Sequence, residues 1–285
     1  MRFHWIVILL LFSACDHSPQ PSVVDIKSLG LQSVDNGIET FYSNGFREKA
    51  VSAAEPIHNS ADFFEESFGV RESISVAILN KEDWTRLTPI PYGLPFVSGP
   101  PYVICIPATA DNILSQALGS ALQQSSLEDR YQLSNDEITE RFILMIGFHE
   151  LGHIYARSYG MQFPNKWTFE LAATYFAYFY LAHNAASELE LWLETAATLG
   201  KNIEPTFTTI EDFEKLYTKV GVGNYAWYQV VFLYRVREIY EQQGKQFLEA
   251  LKNHNWTSSS SHHLLEMEQL SPGFQEWADR YYLLR

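Results

Sequence analysis

Two histidines and a glutamate sit in an apolar stretch, LMIGFHELGHIYA, at residues 144–156. Burying a polar or ionisable group in such surroundings is costly unless a partner satisfies it. His149 and His153 are four apart, so on a helix their imidazoles project from one face. Two neutral ring nitrogens at that spacing reach one Zn2+ at roughly 2.0–2.1 Å each. Glu150 lies roughly 100° further round the helix. It would stand beside such an ion rather than on it, where it can accept a proton from water. The HExxH pattern therefore predicts a cation as the shared partner; the bland alternative is a helix whose histidines find ordinary hydrogen bonds. A catalytic zinc needs a third protein ligand and one open position. Glu170, His183 and the pair Glu188/Glu190 compete downstream for that role.

Two helices must position these groups. Ser134 and Glu137 form an S-x-x-E capping box ahead of the apolar run, which predicts a helix to about Ser158 with Gly160 as its stop. A second helix is expected from near Asn165 to His183, carrying Glu170. Gly160 and Pro164 between them suit a reversal into an antiparallel pair. Ala173, Thr174 and Ala177 share the Glu170 face and are small enough to let the two helices approach closely.

Around this pair the pattern is mixed. IETFYS (38–43) and SISVAILN (73–80) read as strands, and PYGLPFVSGPPYVICIPA (91–108) as two short strands with a loop between. Residues 46–69 repeat apolar positions every three or four, as a helix does, with Pro56 expected to kink or divide it. Beyond residue 110 the periodicity is helical: SELE (187–190) looks like a second capping box, Gly200 a stop, TTIEDFEKLY a short helix, and 224–244 a long amphipathic one, with two short helices to finish. Strands and a helix followed by many helices make an α+β order.

A hydrophobic content of 46% supports a substantial core, and 19% charged residues is too few for a disordered chain. The net charge of −14 repels phosphate backbones, so no nucleic-acid partner is expected. At the start, Arg2 and the apolar run 5–12 are too short to span a bilayer and read as a secretory signal over residues 1–14. LFSAC resembles a bacterial lipobox, which implies lipidation at Cys15, a membrane anchor and tether over 15–35, and a place in the bacterial cell envelope, facing the periplasm or the exterior. Cys105, in an apolar strand-like run, reads as a buried hydrophobe. His262 and His263 read as solvent-exposed, and Trp192, Trp227 and Trp256 as packing residues.

HExxH on one helix and Trp167-x-x-Glu170-x-x-Ala173 on the next resemble the gluzincin metallopeptidases of the peptidase MA-like group, over about residues 36–250. The resemblance implies a zincin-like domain over 36–285. Its smaller sheet lobe would occupy about 36–110 and its helical lobe about 111–285, with the HExxH helix at the cleft. It implies Zn2+ held by His149, His153 and Glu170, and peptide-bond hydrolysis of a peptide or protein substrate with Glu150 as general base. It also implies an oxyanion donor, for which Tyr225 and Tyr228 are the candidates, and an edge strand near 97–106 that binds substrate by strand addition. Tyr159 stands where a metzincin would place its third histidine. Thr174 stands where many gluzincins carry an aspartate; a threonine still accepts an N–H bond but leaves the imidazole less basic. The runner-up reading is a non-catalytic lipoprotein on the same scaffold, acting as a binding or assembly factor.

Overall fold

The computed structural model describes residues 23–257 and 263–280. The signal segment and Cys15 fall outside them. The described chain runs α1 (Val23–Ser28), β1 (Gln32–Asp35), β2 (Glu39–Tyr42), α2 (Arg47–Phe68), β3 (Ile74–Leu79), α3 (Lys81–Leu87), β4 (Phe96–Ser98) and β5 (Tyr102–Pro107). Helices follow: α4 (Ile113–Leu122), α5 (Leu127–Tyr131), α6 (Asn135–Ser158), α7 (Lys166–Asn184), α8 (Ala186–Lys201) and α9 (Ile210–Leu216). A 3-10 turn at Tyr217–Val220 leads into α10 (Val222–Gln243), α11 (Lys245–Asn253), α12 (His263–Leu270) and α13 (Phe274–Arg280). The architecture is α+β.

The five strands form one sheet in the order β1-β2-β3-β5-β4. The inner pairs β2–β3 and β3–β5 are parallel; the outer strands β1 and β4 are antiparallel to their neighbours. Every residue of β3 is buried, as expected of a central strand covered on both faces. Alternation divides it: Val76 and Ile78 face α2 and α6 together with Ile104 and Ile106 of β5. Ala77 and Leu79 face a smaller cluster built from Ile26 of α1, Trp84 of α3 and Cys105. Cys105 is fully buried, and burial pushes its thiol well above the usual range. The folded body thus takes in residues of the 15–35 segment read as tether: Ile26 is fully buried and β1 pairs with β2.

Of the kink or division expected at Pro56, the division does not occur: α2 runs through it as one helix. Ala53, Ala54 and Ile57 are buried around it, and this packing holds the helix across the missing N–H. α6 begins on the expected capping box: Ser134 accepts from the Glu137 amide and the Glu137 side chain accepts from the Ser134 amide. α8 starts at Ala186, one residue before the anticipated Ser187 cap, and has no side-chain cap. Only Ala185 separates it from α7, so the chain re-enters a helix before a serine cap can form. Among the described residues three short helices, not two, follow α10. The large core is continuous from Ile104 in the sheet, through α6 and α7, to Phe274 in α13. No helix among the described residues is long and apolar enough to cross a membrane.

Candidate metal centre

α6 is enclosed between the sheet, α2 and α7, and its residues from Gly147 to Ala156 are almost all buried. α7 lies against it so closely that a Cβ on Gly152 would sit 2.3 Å from the Ala173 carbonyl oxygen, a backbone atom. Only glycine permits this crossing. The approach brings Glu170 across to the two histidines of α6. His149 Nε2 stands 3.2 Å from Glu170 Oε2, and His153 Nε2 stands 3.8 Å from the same oxygen. One ligand atom from each of the three residues lies within 4.8 Å of the others. Two donors bound to one zinc at roughly 2.0–2.1 Å and a tetrahedral angle are about 3.3 Å apart. The donor set and its spacing therefore fit a zinc-sized ion. The residues are 8%, 7% and 2% exposed, too buried for a chance meeting of surface groups.

Neighbouring groups aim the donors. Thr174 Oγ1 donates to the Glu170 carbonyl at 3.0 Å, so its lone pair receives the Nδ1–H of His149 at 3.1 Å. With the ring neutral, that bond sets the tautomer that leaves the Nε2 lone pair available to a cation. His153 Nδ1 is buried with no hydrogen-bond partner. Its ring is held instead by Phe169, 4.3 Å away, which the Arg157 guanidinium covers at 4.6 Å. Both carboxylate oxygens of Glu170 accept further bonds, Oε1 from Tyr217 at 2.5 Å and Oε2 from Gln229 at 2.9 Å.

The electrostatics follow from burial and crowding. Burial alone would raise the Glu170 carboxyl, but His153, His149 and Tyr217 together hold it below the usual range. Burial lowers His153 to about 3 despite the attraction of Glu170. Burial also works against a charged His149, yet Glu170 and Glu150 outweigh it and raise that imidazole. The anionic Glu170 oxygen faces both imidazoles, and each ring can offer its Nε2 lone pair to a cation once it is neutral.

Glu150 is half-buried on the side of α6 towards the sheet edge. Burial raises it to about 7, against the pull of His149. Its Oε2 accepts the Val97 amide of β4 at 3.1 Å. β4 is an outer strand, so this N–H points away from β5 and towards the centre.

Of the two candidate tyrosines, Tyr225 belongs to the centre and Tyr228 does not. The Tyr225 hydroxyl interacts with Tyr217 and Glu170, and burial, with the charges of Glu170 and Glu150, keeps it well above its ordinary value. Tyr228 donates to the Thr209 carbonyl at 2.7 Å, and its charged neighbours are Asp212 and Glu211. The rival ligands are elsewhere too. His183 Nδ1 lies on the Phe179 carbonyl and the Tyr240 hydroxyl, while Glu188 and Glu190 pair with Arg141 and Arg130. His263 is buried, not exposed, between Asn165 and Thr257.

Tyr217 and Gln229 were missed in the sequence. Gln229 is four residues after Tyr225 on α10 and so shares its face, a signal that spacing alone offered. Tyr217 has no such cue. Comparison with protein-family models, with curated proteins and with solved structures returns no match for this chain.

Proposed function

We propose that this chain is a zinc-dependent peptidase with a zincin-like fold, tethered to the bacterial envelope through lipid on Cys15. The observation that carries the hydrolytic reading is the convergence of His149, His153 and Glu170, with Glu150 beside them at the edge of the sheet. The envelope assignment rests on the leader and the lipobox-like LFSAC. A bound Zn2+ would supply Lewis acidity, lowering the pKa of water to near 7 and polarising a substrate carbonyl.

The chain's own groups do the rest. Glu150, raised to about 7, takes a proton from water on a carboxylate oxygen and delivers it to the leaving amine nitrogen. Tyr225 stays protonated at neutral pH and can donate to the oxygen that becomes anionic. Of the 97–106 run only β4 lies at the sheet edge, and it would take an extended peptide by strand addition once its Val97 amide leaves Glu150. Glu150→Gln should keep the metal and abolish cleavage in a peptide-library assay. One equivalent of zinc by metal analysis, with cleavage absent from wild type and variant alike, would favour a second reading: a binding or assembly factor on this scaffold. That reading draws on the Val97 amide, which already engages Glu150, and on the neutral Thr174 behind His149.

A further inference from the structure

Tyr217 adopts φ 50° and ψ −118°, a conformation a bulky residue reaches only against steric resistance. Glycine would sit there freely. Such strain persists where the surroundings over-determine it, and it gathers at functional sites. Here the surroundings are specific. The ring is flanked by Phe213 at 5.5 Å and Tyr225 at 5.9 Å, and the Lys166 ammonium stands 5.1 Å from its centre. Its hydroxyl donates to Glu170 Oε1, whereas His149 and His153 both approach the other oxygen, Oε2.

We propose that Tyr217 is a positioning residue: with Gln229 it confines Glu170 so that Oε2 alone faces the histidines and the carboxylate takes a cation through one oxygen. The inference rests on the metal reading above. A carboxylate free to rotate about its last bond could present both oxygens and fill the position that a substrate or water needs. Tyr217 claims Oε1 and removes that option. Gln229 fixes the rotation from the other side by donating to Oε2. Because Tyr217 also contacts the Tyr225 hydroxyl, it ties the ligand and the expected oxyanion donor into one geometry.

The test compares wild type, Tyr217→Phe and Gln229→Leu in the full-length chain. Zn2+ affinity is read by competition with a chelating dye, coordination by the visible absorption of the Co2+-loaded protein, and folding by the ion-free Tm. Tyr217→Phe should keep its Tm, bind Zn2+ ten- to a hundredfold more weakly, and lose the intense absorption of four-coordinate Co2+. Gln229→Leu should move in the same direction. Unchanged affinity and absorption in Tyr217→Phe would overturn the positioning role and leave the metal reading standing. A lower Tm with an unchanged Co2+ spectrum would also overturn it, as the mark of a purely structural tyrosine. Wild type that binds neither ion would overturn both readings together.

Discussion

Thr174 is the side chain behind His149, and its hydroxyl does two jobs. It donates to the Glu170 carbonyl and accepts from His149 Nδ1, so it links both ligand-bearing helices through one oxygen. Thr174→Val keeps the shape and removes the acceptor, leaving a buried N–H without a partner. Zn2+ affinity should fall by about ten- to a hundredfold, read by chelator competition, with the fold intact. At this scale the sequence was informative wherever residues four apart do the chemistry, as with His149 and His153, or Glu170 and Thr174. It was uninformative where helix rotation decides. Tyr225 and Tyr228 are three apart on α10 and chemically alike, yet packing turns only the first towards Glu170. Tyr217 was invisible because its role depends on a backbone conformation that no local pattern announces.

Between elements, the decisive contact is α6 against α7 at Gly152. Replacing a helical glycine by alanine normally gains up to about 1 kcal/mol of helix propensity. Here the new methyl would meet the Ala173 carbonyl at 2.3 Å, and overpacking against backbone costs roughly 1–3 kcal/mol. The second effect wins. Gly152→Ala should be less stable in denaturant melts, and its zinc content should drop because Glu170 is pushed away from the histidines. The helices themselves were legible: capping at Ser134 and Asn165 places both starts within a residue of the expectation. The strand β1 and the helices α1 and α3 were not, because four to seven residues carry too little periodicity to separate from loop.

Across the whole molecule, the centre depends on distant chain. Asn165, which caps α7 by accepting the Thr168 amide, is held in turn by His263 of α12 at 2.9 Å. His263 is buried and also reaches the Thr257 carbonyl at 3.1 Å. His263→Ala removes both bonds and should lower stability by roughly 1–3 kcal/mol in denaturant melts. It should weaken Zn2+ binding as well, through the loosened start of the helix that carries Glu170. This link joins segments 98 residues apart and has no trace in local sequence. A fragment ending after α7 would carry all three donors yet lack Tyr217, Gln229 and His263. The proposed grip on an ion would therefore wait for the C-terminal third of the chain, as fingers wait for a wrist.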